Sequence, residues 1–249
     1  MKRWRKNINS SLTATRCSFS NLTNLNFLPD KSVIIVAGGS GSRMKSDIPK
    51  QFLPVAGMPV IMHTIRAFLK YEKGIEVIIA LPEGYFQFWK ELCEKFHFNA
   101  DHLLSKGGET RFHTVRNALA LVNDDRIVAI HDAVRPLVSQ RMIEEGFRDA
   151  LTFGNAVPAI TVSESVRWSE GRKNHPINRD HLRMVQTPQV FDAGLIKRAY
   201  QRVNKEIFTD DASVLEAMGE TIHLFEGTHE NIKITYPYEL LFAETLLGV

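Results

Sequence analysis

A run of four β-branched residues, Val33-Ile34-Ile35-Val36, stops abruptly at Ala37-Gly38-Gly39-Ser40-Gly41-Ser42-Arg43-Met44. This junction limits the fold more than any other segment. A short apolar run with no polar alternation reads as a strand covered on both faces. Glycines directly after the first strand of an α/β sheet let a ligand phosphate approach the backbone, whose N–H groups point at anions. Such a loop lies at the carboxyl end of its strand, where open α/β sheets hold their ligands. By itself the loop is weak evidence, because a plain tight turn would also use these glycines.

The rest of the chain repeats the alternation that the junction implies. Pro59–Tyr71 has helical spacing, with Ile61, Met62, Ile65, Phe68 and Leu69 apolar. A second buried strand, Val77–Leu81, precedes a helix near Tyr85–Phe96. Arg111–Val122 reads as a helix, Arg126–Ile130 as a strand, Gln140–Phe153 as a helix and Ala156–Thr161 as a strand. Strands alternating with helices define an α/β fold, a mostly parallel sheet with helices on both faces. Ser163–Gln186 breaks the rhythm: Val166 and Trp168 alternate with polar residues, 170–174 reads as a turn, and Met184-Val185-Gln186 resumes a strand. This predicts a protruding two-stranded arm at about 163–186, marginal alone and in need of a surface to pack on, for which a partner subunit is a candidate. Helices are expected at Ala193–Asn204, at Asp211–Met218 behind an Asp210 N-cap, and at Tyr238–Leu247, with a short strand at Ile232–Thr235.

Charge sets the first 31 residues apart. Five bases against one acid in residues 1–30 exceed the whole net charge of +3 and leave the remainder at −1. A near-neutral body excludes a nucleic-acid footprint over a whole face. No apolar run is long enough to span a bilayer, so no membrane contact is expected. The basic, acid-poor leader, 1–31, lacks the apolar core of a secretory signal. It reads as a disordered tail or an early start, ahead of a single domain at 32–249. The two cysteines form no disulfide framework, and a reducing compartment follows. The expected location is the cytoplasm, or the plastid if the leader is a transit peptide.

Two familiar phosphate loops do not fit. The dinucleotide fingerprint requires a third glycine where Met44 stands, and the P-loop's Gly-Lys-Ser/Thr ending is missing. Instead Arg43 follows the loop, and Pro49-Lys50-Gln51 lies a few residues on. A planar arginine fork and a mobile lysine charge beside a glycine loop suit a triphosphate, whose oxygens gain charge in the transition state.

Together, 36–44 and 49–51 resemble a nucleotidyltransferase signature loop. Four further motifs follow in order: Gly107-Gly108-Glu109-Thr110-Arg111-Phe112-His113-Thr114-Val115, His131-Asp132-Ala133-Val134-Arg135-Pro136, Thr187-Pro188-Gln189-Val190-Phe191 and Asn231-Ile232-Lys233-Ile234-Thr235. The set resembles the 2-C-methyl-D-erythritol 4-phosphate cytidylyltransferase family over roughly 32–247. The resemblance implies a Rossmann-like sheet of the nucleotide-diphosphosugar transferase type, and transfer of a cytidine monophosphate from CTP to a small polyol phosphate.

By the same resemblance Ala37, Gly38, Gly39 and Gly41 hold the triphosphate, and Arg43 and Lys50 stabilise the transition state. Gly108, Glu109 and Thr114 read cytosine and ribose. Asp132 carries Mg2+, for which one carboxylate beside phosphate oxygens and water suffices. Ser165 and Thr187 bind the acceptor, and Arg179 and Lys233 position its phosphate. The family is a homodimer in which the arm reaches the neighbour's site. Many relatives have Asp-Thr where Glu164-Ser165 stands, Pro at Thr161 and Asp at Glu230. Ribitol 5-phosphate or another polyol phosphate therefore stays open as an acceptor. A non-catalytic nucleotide-binding module on this fold predicts loss of Arg43, Lys50 or Asp132, all of which are present. His113 and His131 fall inside the motifs, and packed or hydrogen-bonding histidines are expected there. The implied reaction needs no strong general base, because a phosphate monoester with a second pKa near ~6 is already largely ionised at neutral pH.

Overall fold

The computed structural model describes residues 29–39, 44, 46, 48–203 and 208–248. The leader therefore lies outside the described residues up to Leu28. The first strand, β1, spans Lys31–Val36. A two-stranded hairpin, β2 (Pro54–Val55) and β3 (Met58–Pro59), leads into α1 (Val60–Tyr71). There follow β4 (Glu76–Leu81), α2 (Phe86–Lys95), β5 (Leu103–Lys106), α3 (Arg111–Leu119), β6 (Ile127–Asp132), α4 (Gln140–Phe153) and β7 (Asn155–Thr161). The arm comprises β8 (Val166–Glu170) and β9 (Lys173–Ile177). The chain ends with β10 (Arg183–Val185), β11 (Gln189–Asp192), α5 (Ala193–Arg202), α6 (Asp211–Glu216), β12 (Leu224–Glu226) and α7 (Pro237–Leu247).

Eight strands form one sheet in the order β10-β7-β11-β6-β1-β4-β5, with β12 beside β7. Strands β6, β1, β4 and β5 run parallel; β11 runs antiparallel to both β6 and β7, and β10 antiparallel to β7. Alternation along β1 divides the core. Val33 and Ile35 pack in one cluster with Ile61, Met62 and Phe68 of α1 and Phe147 of α4. Ile34 packs in another with Phe112 and Val115 of α3 and Ile196 of α5. All three β1 residues are fully buried, so both faces are covered, as the uninterrupted apolar run requires.

Local chemistry sets several helix ends. Ser139 caps α4 through Met142 N, and Gly154, at φ 80°, ends it in the left-handed conformation that glycine favours. Asp210 caps α6 as expected, its carboxylate accepting from Ser213 N. Among the described residues no helix is long and apolar enough to cross a membrane.

Two expectations are corrected. Ile232–Thr235 is not a strand. Its backbone bonds are local to the site: Ile234 N donates to Val134 O, and Ile234 O accepts from Lys50 Nζ, so no continuous ladder forms. The arm is also shorter than 163–186. The hairpin β8–β9 turns through Gly171-Arg172, with Gly171 at φ 56°, and Met184-Val185 rejoin the main sheet against β7. The hairpin forms its own two-stranded sheet, and nearly all its residues are exposed.

Candidate active site

β1 pairs with β4 on one side and with β6 on the other, which makes the β1/β6 boundary the point where strand order reverses. Ligands of open α/β sheets bind in the crevice at such a point. Val36 and Asp132, the last residues of the two strands, stand in register there. Beyond them Ala37 N bonds to Ala80 O at 2.8 Å, and Ala133 N to Val36 O at 3.0 Å, so the ladder fixes the start of each loop.

The crevice holds a cavity of about 320 Å³. Ala37, Gly38, Gly39, Lys50, Gly108, Glu109, Thr114, Asp132 and Lys233 line it, which brings together nine of the residues that the motifs single out. Gly41 and Arg43 lie outside the described residues. Ser165 and Arg179 are exposed and do not line the cavity. Arg179 instead donates to Ser163 O. Thr187 is buried behind the cavity wall rather than in it.

Close approach requires glycine at 108 and leaves little room for a side chain at 38. A Cβ on Gly38 would meet Thr114 Oγ1 at 3.2 Å, and one on Gly108 would meet His113 Cβ at 2.3 Å. Thr114 lies beside Gly38 and holds the 107–110 segment: its Oγ1 accepts from Gly108 N at 2.9 Å and donates to Thr110 O at 3.0 Å. On the opposite wall Lys50 and Gln51 occupy a short 3-10 turn, 50–52, and both are buried. Gln51 Nε2 donates to Ala37 O at 2.7 Å, holding the start of the glycine loop. Lys50 Nζ donates to Ile234 O at 2.8 Å, tying the loop to the segment that carries Lys233.

Asp132 is the electrostatic centre. Lys233 Nζ lies 2.9 Å from its Oδ2, and Arg135 Nε 3.3 Å from the same oxygen. Burial alone would raise its pKa, but Lys233, Arg111 and Arg135 overcome that and hold it well below the usual carboxylate range. It is therefore an anion at any physiological pH. Behind it, Thr187 Oγ1 accepts from Asp132 N at 3.1 Å and lies 3.0 Å from His131 Nδ1. His131 Nε2 lies 3.1 Å from Arg135 O, a carbonyl that only accepts. The Nε2–H tautomer follows, with Nδ1 accepting from the threonine hydroxyl. Burial pushes the His131 pKa down to about 4, so the ring is neutral. Fully buried and bonded on both nitrogens, His131 is a supporting residue, as expected.

Several supporting residues were not assigned roles from the sequence. Gln51 and Arg135 stand inside the contiguous motifs at 49–51 and 131–136. Asn231 Nδ2 donates to Thr187 O at 2.9 Å, which docks the Lys233 segment on the sheet. Arg111 lines the cavity and forms a two-pronged pair with Asp211, at 2.8 and 2.6 Å. Nothing in the pattern links residues 100 positions apart.

A glycine loop at the switch point, two lysines, an arginine and a buried ionised aspartate around one cavity define a nucleotidyltransferase-type α/β domain. Sequence comparison narrows the class. The model of the 2-C-methyl-D-erythritol 4-phosphate cytidylyltransferase family matches residues 32–249, and the chain belongs to that family. It is 49% identical over 217 residues to the enzyme of that name from Bacteroides fragilis, covering 87% of this chain and 99% of the relative. The Bacteroides thetaiotaomicron enzyme is 49% identical with the same coverage. Among solved structures, 4-diphosphocytidyl-2C-methyl-D-erythritol synthase from Anaerococcus prevotii superposes with a TM-score of 0.76 at 25% identity, covering 89% of this chain and 99% of that one.

Proposed function

We propose that this chain transfers CMP from CTP to 2-C-methyl-D-erythritol 4-phosphate, giving 4-diphosphocytidyl-2-C-methyl-D-erythritol and pyrophosphate in the non-mevalonate route to isoprenoids. The observation that carries this reading is the cavity that joins the glycine loop, Lys50, Asp132 and Lys233 at the sheet's switch point. An oxygen of the acceptor phosphate attacks the α-phosphorus of CTP in line. The new P–O bond forms as the Pα–O bond to the β-phosphate breaks, and pyrophosphate leaves with the electron pair.

The nucleophile is already anionic, so the barrier lies in bringing anions together and aligning them. Lys50, fixed through Ile234 O, and Arg43 place positive charge at the transferring phosphoryl group. Gly38 and Gly39 let the phosphates approach the backbone. Gly108, Glu109 and Thr114 read the cytidine end. Lys233 and Arg179 orient the acceptor phosphate, with Ser165 on the acceptor side; Thr187 supports that side from behind the wall by holding Asp132 N.

Mg2+ fits the donor set as a phosphate-bound ion. Asp132 is a buried ionised carboxylate at the cavity, which Glu109 also lines, and no group of three His, Cys, Asp or Glu residues able to hold a metal occurs among the described residues. Such an ion takes one or two carboxylates plus phosphate oxygens and water. When bound it would neutralise charge on the triphosphate. The arm supports a homodimer in which Ser165 and Arg179 of one subunit complete the other's site, since both are exposed and away from the cavity of their own chain. The reaction belongs in the cytoplasm.

Pyrophosphate release with CTP and either 2-C-methyl-D-erythritol 4-phosphate or ribitol 5-phosphate, with and without magnesium, tests the reading. Turnover with the first acceptor alone, abolished by chelation, is expected. Equal or greater turnover with ribitol 5-phosphate would reassign the acceptor.

A further inference from the structure

Arg111 is the first residue of α3, where the helix dipole disfavours a cation. Its guanidinium is nevertheless held by Asp211, the first residue of α6, which has no exposed surface. Both carboxylate oxygens are engaged, and Tyr200 OH adds a third bond to Oδ1 at 2.7 Å. Tyr200 is itself pinned by Phe112, with ring centroids 4.7 Å apart and nearly parallel planes. Gln189 Oε1 accepts from Asp211 N and Ala212 N, which fixes the helix end that carries the carboxylate.

A buried ion pair is a poor device for stability, because desolvation offsets the attraction and apolar residues of similar size often serve as well. This one has a geometric consequence. Asp211 occupies two of the five guanidinium donors, while Arg111 remains part of the cavity wall, its side chain 27% exposed. Its charge also contributes to holding Asp132 ionised. We propose that Asp211, with Tyr200 behind it, is a positioning residue that locks the Arg111 guanidinium in the cavity wall, where Arg111 attracts the anionic nucleotide. The role rests on the CTP reading above and assigns α5 and α6 a part in the nucleotide half of the site. Prealigned in this way, the guanidinium meets the nucleotide without losing rotamer freedom on binding.

The test compares Asp211→Asn, Tyr200→Phe and Arg111→Lys with the parent, by calorimetric titration of CTP and by steady-state kinetics with both substrates varied. Asp211→Asn keeps size and removes charge; Arg111→Lys keeps charge and removes the fork. Both are expected to weaken CTP binding by about tenfold or more, the scale of a charge-assisted bidentate bond, and to leave the acceptor KM within about twofold. Tyr200→Phe leaves the pair in place and should shift CTP in the same direction by less. Unchanged CTP affinity in folded variants overturns the proposal, as does an equal rise in both KM values, which marks general loosening. If Asp211→Asn does not fold, Tyr200→Phe and Arg111→Lys decide. If the parent binds CTP but releases no pyrophosphate, the transfer reading falls, and the calorimetric comparison still judges the positioning role.

Discussion

Replacing Gly108 with alanine tests the cytidine wall directly. The added Cβ would sit 2.3 Å from His113 Cβ and 2.9 Å from His113 C. Relaxed carbon contacts begin near ~3.5 Å, so one side must move by about 1.2 Å. His113 is in the first turn of α3, which Thr110 caps and the Arg111–Asp211 pair anchors, so the 107–109 loop yields instead. That movement strains or breaks the Gly108 N to Thr114 Oγ1 bond and carries Glu109 with it. Overpacking of this kind costs about 1–3 kcal/mol of stability. A displacement near 1 Å in a positioning loop lowers kcat/KM for CTP by about 10²-fold. Thermal melting and initial rates at varied CTP measure the two effects. Gly39→Ala is the control, since a Cβ there meets nothing within 4 Å and the fold should be untouched. A Gly108→Ala enzyme with kcat/KM for CTP within about twofold of the parent would refute the argument.

Other perturbations separate the two halves of the site. Lys50→Ala should lower kcat by about 10²–10³ with unchanged circular dichroism, the scale of losing one preorganised charge-stabilising donor; near-normal turnover would remove Lys50 from the mechanism. Arg179→Ala should raise the acceptor KM far more than that of CTP. At an acceptor concentration far below the raised KM, mixing equal amounts of Lys50→Ala and Arg179→Ala subunits and re-equilibrating should restore about a quarter of parent activity, because half the dimers would then carry one intact site. A mixture as inactive as its components would show that the arm does not serve its neighbour. Stability without ligands should fall on acidification. The unfolded His131 takes up a proton near 6.5 and the buried one only near about 4, so stability is complete above 6.5 and about 3 kcal/mol is lost on descending to 4. Asp132, held below its ordinary value of 3.8, adds a further loss below that pH. Denaturant melts of the parent and of His131→Gln across pH 4–7 check this, and an unchanged slope in the variant would remove His131 as the cause.

The parallel core was legible because its strands are apolar on both faces. The runs at 33–36 and 77–81 lie within β1 and β4, and α4 has the bounds read for it, Gln140–Phe153. What the pattern missed depends on partners distant in sequence. Leu103–Lys106 is too short and polar to announce a strand, yet β4 recruits it to the sheet edge. Ile232–Thr235 has the β-branched look of a strand, but its backbone serves Lys50 and Val134. In the site, the motifs delivered the glycine loop, the 107–114 turn and Asp132 because each is contiguous. Asp211 gave no signal, because its meaning comes only from Arg111 across the fold.

The cations of the cavity differ in how firmly the ligand-free protein holds them. Lys50 is buried and bonded to a backbone carbonyl; Arg111 is clamped by a carboxylate with no exposed surface. Both stay where folding places them, so the cost of holding positive charges together is met before substrate arrives, as electrostatic preorganisation requires. Lys233 is different. Its side chain is 43% exposed, and its partner Asp132 is the residue to which the proposal gives the metal. A lysine is a mobile point charge on a flexible stem, able to exchange one anionic oxygen for another with little rearrangement. On the proposed reading, the fixed pair suits the nucleotide phosphates, and the adaptable lysine suits the acceptor phosphate. Lys233→Arg should therefore impair acceptor use more than CTP binding, because a planar fork cannot make the same exchange. An equal loss on both sides would place Lys233 with the fixed cations.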